Sequence, residues 1–342
     1  KELLENALDS GATEIRIDAE NAGRRLIRIQ DNGCGMLRDD ALLAFERHAT
    51  SKLSDVKDLL SIATLGFRGE ALPSIASVSR LLLETRSADE QTGTAIEIAG
   101  GKLLRCDELA RPVGTTISVR DLFYNVPARK KFLRSDQTEL AHLGSLVTHY
   151  SLGHANKRFD LFHEGRELLG VTPAPTLRER AFQVFGAEIV EALAALGPKI
   201  FELRLPPPYR SPEADDKKRS SAPLPPELAQ FALEGLVSGP HVQKLNRNSV
   251  YLFVNGRLIR DKVLLHAITA AYHNLMPAGC YPFALLFLNC DPGEVDVNVH
   301  PAKTEVRFRH GSPVHDFVRD AVREVLMESR PVSSIPLPNS PA

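Results

Sequence analysis

What the sequence lacks narrows its class first. Its four cysteines, Cys34, Cys106, Cys280 and Cys290, make no CxxC pair and no zinc-like spacing, which excludes a disulfide framework and fits a reducing compartment. No apolar run reaches the roughly 18 residues of a membrane-spanning helix, and no signal-like leader is visible, so the default is a cytoplasmic chain. Neither sign of charge dominates, with 42 Lys plus Arg against 43 Asp plus Glu, and any nucleic-acid contact must therefore come from local clusters. There is no internal repeat. A chain of 342 residues that is 43% apolar can bury about two cores.

The stretch that organises the rest is Lys1 to Asp9, KELLENALD. At about 100° per residue, Leu3, Leu4, Ala7 and Leu8 fall on one side of a helix, while Glu2, Asn6 and Asp9 share the other. Gly11 follows where a left-handed cap would sit. The pattern reads as the C-terminal part of a helix that starts upstream of the chain.

Alternation then takes over: Ile15, Ile17 and Ala19, the turn-like Asn21-Ala22-Gly23, and Leu26, Ile27 and Ile29 predict a hairpin. The second strand runs into Asp31-Asn32-Gly33-Cys34-Gly35. Asp39 is read as the cap of a helix through Ala41, Leu42 and Phe45, and His48-Ala49-Thr50-Ser51-Lys52 as a polar loop. Gly66-Phe67-Arg68-Gly69 opens a further helix. Short β-like runs at 80–86, 94–98, 102–106 and 115–121 predict an antiparallel sheet, followed by helices at about 137–152 and 177–185, the second capped by Thr176. Gly197-Pro198 marks a domain boundary. Residues 207–226, proline-bounded and poor in apolar residues, read as a mobile insert. A second domain follows, with strands at 250–254, 281–288, 294–299 and 306–309 and helices through Leu264 to Ala271 and over 314–327. The Pro/Ser-rich 330–342 reads as the start of a linker. Phe123, Tyr124 and Phe132 are taken as core.

An aspartate and two glycines at a strand end are common in structural turns, and glycines bracketing a helix start only favour phosphate in general. Their order is more informative. The segments KELLENALDSGA, RIQDNGCGM, RHATSK, LGFRGEALPSI, GTTISVRDLFYNVPARKKFL and VDVNVHPAKTEVRF together resemble the GHKL ATPase superfamily and, within it, the MutL mismatch-repair proteins and their eukaryotic homologues. The resemblance implies an α+β fold: a GHKL-type α/β sandwich with a mixed, mostly antiparallel sheet over 1–197, then a smaller ribosomal-protein-like α/β domain over 198–329.

It also implies roles. Glu2 would be the general base that activates water, and Asn6, one turn on, would hold Mg²⁺. Asp31 would accept a hydrogen bond from the adenine amino group of ATP, with Thr116 supporting the base and Gly33 and Gly35 giving the ring room. Gly66, Phe67, Arg68 and Gly69 would donate backbone N–H groups to the phosphates, and Thr50, Ser51 and Lys52 would belong to a lid. Lys303, from the second domain, would reach the γ-phosphate with Asn298 nearby.

For DNA, the basic clusters are Arg129, Lys130, Lys131 and Arg134, then Lys157 and Arg158, then Arg257, Arg260 and Lys262. No aromatic is expected among them for base stacking, so weak, salt-sensitive backbone binding without sequence preference is the expectation. The resemblance singles out Arg257 and Arg260. It implies a slow, Mg-dependent ATPase that dimerises as a clamp through ATP-dependent N-terminal contacts and a further C-terminal domain. Such a clamp would link a MutS-like mismatch sensor to a downstream nuclease or helicase in a bacterial-type cytoplasm, away from membranes. Turnover would be slower still without the upstream segment. A nucleotide-gated binding module with negligible hydrolysis and a topoisomerase-type ATPase half are the alternatives.

Overall fold

The computed structural model describes residues 1–46, 70–205, 227–296 and 305–328, so the insert 207–226 and the segment 330–342 lie outside it. The chain divides into two compact units, Lys1–Val190 and Glu191–Ala342.

The first unit runs α1 (Glu2–Asp9), β1 (Glu14–Glu20), β2 (Leu26–Asp31), α2 (Arg38–Leu43), α3 (Ala71–Ser77), β3 (Arg80–Arg86), β4 (Gly93–Ala99), β5 (Lys102–Leu109), β6 (Gly114–Arg120), α4 (Pro127–Lys130), α5 (Asp136–Gly153), β7 (Arg158–His163), β8 (Arg166–Val171), α6 (Leu177–Phe185) and α7 (Ala187–Glu191). Among the described residues its eight strands form one sheet in the order β5-β4-β3-β6-β2-β1-β7-β8. Every pairing is antiparallel except β1 with β7, which needs the long crossover that parallel neighbours require. Alternate residues of the strands, among them Ile15, Ile29, Leu83, Ile117 and Phe159, point to the face where Leu4, Ala7 and Leu8 of α1 and Val147 of α5 pack. The amphipathic reading of the first helix is therefore realised as core contact. It omits Glu5, which is also buried; the Tyr150 hydroxyl donates to Glu5 Oε1 at 2.7 Å and ties α1 to α5.

The second unit contains β9 (Leu193–Leu205), β10 (Glu227–Ser238), β11 (Val250–Val254), β12 (Arg257–Ile259), α8 (Lys262–Ala271), β13 (Ala284–Cys290), β14 (Val295–Asp296), β15 (Arg307–Phe308) and α9 (Gly311–Glu328). Its main sheet is ordered β12-β11-β13-β10-β9, and its core joins Phe231, Leu252, Leu286 and Ile268 with Val318 and Val322 of α9. Asp261 caps α8, its Oδ1 accepting the Leu264 N–H at 2.9 Å.

Several expectations are corrected. Gly197 and Pro198 lie inside β9, where the pairing with β10 shifts register between Leu233 and Gly235. Proline is tolerated there because β9 is an edge strand and the residues sit in a bulge. The run 227–234, ELAQFALE, for which the sequence carries no expectation, lies in a strand in which Ala229, Phe231 and Leu233 face the core in alternation. The hairpin β7–β8 also went unread. Asp39 sits in the first turn of α2, whose cap position is Leu37. Tyr124 and Phe132 are exposed, Phe132 to 85%, and neither is core.

Behind the hairpin β7–β8 lies a buried arginine. Arg180 on α6 is wholly buried, and its Nη2 donates to the carbonyls of Ala155 at 2.7 Å, Lys157 at 2.6 Å and Thr172 at 3.0 Å. Burial pulls its pKa down to about 10, which leaves it charged at neutral pH. Arg180→Ala strands three carbonyls and leaves a cavity, so unfolding stability is expected to fall by about 3 kcal/mol or more. A urea midpoint for the variant matching the parent would remove Arg180 from this role.

Candidate functional site

The segment 31–36 is held by three neighbours. The Cys34 N–H donates to the Ser10 carbonyl at 3.1 Å, just past the end of α1. Asn32 Oδ1 accepts the N–H groups of Thr13 at 2.9 Å and Glu14 at 3.0 Å, fixing the loop to the entry of β1. On the other side the Met36 N–H donates to Thr85 Oγ1 at 2.9 Å, near the end of β3, and Thr85 Oγ1 lies 3.0 Å from Thr115 Oγ1.

These approaches explain the glycines. A Cβ on Gly33 would overlap Ser10 Oγ, one on Gly35 the Arg86 carbonyl oxygen, and one on Gly114 the Asp31 carbonyl oxygen. Gly35 and Gly114 also take φ of +69° and +126°, where a side chain is strained. The room provided by Gly33 and Gly35 is taken up by the protein's own backbone and by Ser10.

Asp31 ends β2 and is buried. Its Oδ1 accepts the Gly33 N–H at 2.9 Å and faces Ser10 Oγ at 3.4 Å. Burial pushes its carboxyl above the ordinary carboxylate range, opposed by those two donors, the Thr115 backbone and the charge of Arg111. A carboxylate has about four lone-pair sites, so this one retains acceptor capacity.

The expected partner of Asp31, Thr116, is on the wrong side of the sheet. Asp31 pairs with Thr115 and Gln30 with Thr116, and side chains alternate across a strand. Ile29, Ile117 and Val119 enter the core beneath α1, which puts the side chains of Asp31 and Thr115 on that face and Thr116 on the opposite one. There Thr116 Oγ1 accepts from Arg111 Nη2 at 3.3 Å. Thr115, buried, is the hydroxyl beside Asp31. Ser10, Asn32, Thr85 and Thr115 were missed because only strand register and loop closure bring them together.

Glu2 and Asn6 are both half-buried on α1. Glu2 borders an apolar cavity of about 250 Å³ lined by Leu4, Ile29, Ile75, Leu143 and Val147 among others, and Asp31 is not part of that lining. Among the described residues no group of three or more His, Cys, Asp or Glu could hold a metal ion. Mg²⁺ held through Asn6 is compatible with this, since that ion commonly keeps phosphate oxygens and water as its other ligands. Arg257 opens β12 opposite Val254 and is half-buried, whereas Arg260 is exposed just before α8. Thr50, Ser51, Lys52, Gly66, Phe67, Arg68, Gly69, Asn298 and Lys303 lie outside the described residues.

Known proteins resemble this chain in sequence and in fold. A family profile described as histidine kinase-, DNA gyrase B- and HSP90-like ATPase matches residues 1–100, and one described as DNA mismatch repair protein, C-terminal domain, matches residues 214–327. DNA mismatch repair protein MutL of Solibacter usitatus is 66% identical over all of this chain and 52% of its own length. MutL of Acidobacterium capsulatum is 54% identical over 97% of the chain and 50% of its own length. The chain thus spans about half the length of the curated relatives it matches. Among solved structures, the Aquifex aeolicus MutL ATPase domain complexed with ADP is 26% identical, with a TM-score of 0.56 over 97% of this chain and 96% of that one. The N-terminal domain of a DNA repair protein shares the fold with a TM-score of 0.76 at 23% identity, over 96% of this chain and 92% of that one. The chain belongs to the MutL family of DNA mismatch repair proteins, of which it carries the GHKL-type ATPase region.

Proposed function

We propose that this chain is a slow, Mg-dependent ATPase that works as an ATP-driven, dimerising clamp in mismatch repair, passing a signal from a MutS-like sensor to a downstream nuclease or helicase. The observation that carries the nucleotide part is the buried Asp31 carboxylate, held by Gly33 N–H and Ser10 at the end of a central strand. A buried carboxylate with lone pairs to spare suits the exocyclic amino group of adenine, and Thr115 is its hydroxyl neighbour. The ADP complex of the Aquifex relative supports a nucleotide in this fold.

Glu2 is the proposed general base, set on a helix fixed by four buried apolar side chains and by the Glu5–Tyr150 hydrogen bond. Asn6, at i+4 on the same helix, would hold Mg²⁺, which when bound supplies positive charge against the phosphates. Lys303 and Asn298 are assigned to the γ-phosphate end, and residues 50–52 and 66–69 to the lid and phosphate loop, from their motifs alone. Turnover limited by lid closure and dimerisation is slow turnover. DNA is taken as a weakly bound partner contacted through its backbone, with Arg257 and Arg260 as the candidate contacts.

Glu2→Gln should bind ATP as the parent does but hydrolyse it slower by about 10²-fold or more. Unchanged single-turnover rates would remove Glu2 from the role of base. Asp31 generates a second expectation with a definite sign. Because burial raises its folded-state pKa, ionising it costs stability at every pH above the raised value and nothing below the ordinary carboxylate range. By calorimetry, Asp31→Asn should melt above the parent near neutral pH, with the gap closing as pH falls through that range. A gap independent of pH, or of opposite sign, would contradict this reading of the site.

A further inference from the structure

Two histidines meet on the surface of the second unit. His266, on α8, is exposed and His315, on α9, is half-buried; their ring centroids lie 5.0 Å apart, with Nδ1 of the first 2.8 Å from Nε2 of the second. The helices that carry them are fixed beneath. Leu264, Ile268 and Ala271 of α8 share one apolar core with Val314, Val318 and Val322 of α9, so the two rings face each other from a packed base.

The protons follow from the neighbours. His315 Nδ1 lies 3.0 Å from Asp316 Oδ1, and an ionised carboxylate only accepts, so that nitrogen carries the hydrogen and Nε2 presents a bare lone pair toward His266. A carboxylate behind one imidazole nitrogen is the arrangement that orients metal-binding histidines and raises the basicity of the other nitrogen. His266 can match it. Because this residue is open to water, its proton can sit hydrated on Nε2, which leaves a second lone pair on Nδ1. Arg319, four residues from His315 on the same helix, has its charge offset by Asp316 and Asp320, at 2.7 and 2.8 Å.

We infer that His266 and His315 form a cross-helix site for a divalent transition-metal ion that takes nitrogen ligands at right angles, Cu²⁺ or Ni²⁺. Distance selects among the metals. Two imidazole nitrogens bound at about 2.0 Å stand about 2.8 Å apart across a right angle and about 3.3 Å apart across a tetrahedral one. The observed 2.8 Å is the right-angle value, so a tetragonal ion enters without moving the rings apart, whereas tetrahedral Zn²⁺ has to spread them. Mg²⁺ and Ca²⁺, which prefer oxygen ligands, are a poor match for two imidazoles. Among the described residues no group of three or more His, Cys, Asp or Glu could hold a metal ion, so water fills the other positions and the ion acts as a clip between α8 and α9. The site takes no part in the nucleotide chemistry assigned to α1 and Asp31.

Calorimetric titration of the whole chain, free of any histidine tag, with Cu²⁺ and with Ni²⁺ tests this beside His266→Gln and His315→Gln. One bound ion per chain should be lost in either variant; ions held by histidines or cysteines elsewhere survive in both and subtract out. With Cu²⁺, electron paramagnetic resonance of the parent should show coupling to two nitrogens that neither variant retains. Asp316→Ala should bind about tenfold more weakly, and saturating Ni²⁺ should raise the melting temperature of the parent but of neither histidine variant. If both variants bind as many ions as tightly as the parent, or the two-nitrogen signal survives in His315→Gln, the pair is an ordinary hydrogen bond and the site is wrong. Zn²⁺ bound more tightly than Ni²⁺ would overturn the right-angle geometry.

Discussion

Backbone meeting backbone without room for a β-carbon is the constraint on which the first unit turns. At Gly33, Gly35 and Gly114 the chain approaches Ser10, the Arg86 carbonyl and the Asp31 carbonyl, so the end of the first helix and the ends of three neighbouring strands are drawn to one point. A methyl group at any of the three would push a strand end or the helix end away. The hydrogen bonds from Cys34 to Ser10 and from Met36 to Thr85 can form only because that approach is allowed. Asp31 is buried as a consequence. The loop that carries Gly33 folds back over its carboxylate, and the same closure supplies the N–H that partly offsets the cost of burying it.

Polar groups inside this unit follow one rule with two outcomes. Where a buried charge is held by fixed partners, as with Arg180 Nη2 and its three carbonyls, it acts as a fastener. Asp31 is different, since its few donors do not outweigh desolvation. A carboxylate left above its ordinary pKa at the end of a central strand is a stability cost carried in the folded protein, and such costs concentrate at binding sites. Thr115 and Thr85 make the neighbouring hydroxyls a fixed pair, so the face beside Asp31 is ordered before any ligand arrives.

Much of this was legible in the residues. The strands β1 to β6 were readable from short β-like runs between turn residues, α1 was readable from its 3.6-residue apolar period, and the spaced motifs carried the family. The failures have physical causes. The segment ELAQFALE carries no local strand pattern strong enough to predict it, and it is a strand because flanking strands supply its partners. Gly197-Pro198 resembles a boundary but is a bulge at a sheet edge. The resemblance points to Thr116, and two adjacent threonines cannot be told apart until the register Asp31 to Thr115 is known. Phe132 is apolar and yet 85% exposed, because hydrophobicity says nothing about whether a turn will present a ring outward. Contacts such as Ser10 to Asp31 and Tyr150 to Glu5 depend on side chains 21 and 145 residues apart, beyond any local pattern.

The central assignment is that the Asp31 carboxylate reads adenine. It is tested most directly by calorimetric titration of the chain with ATP and with GTP in the presence of Mg²⁺, and of Asp31→Asn with both. The carboxylate accepts from the adenine amino group but opposes the carbonyl that guanine presents at that position, so the parent should favour ATP by about tenfold or more, and the preference should collapse in the variant. Equal affinity of the parent for the two nucleotides, or a preference that survives in Asp31→Asn, would contradict the assignment.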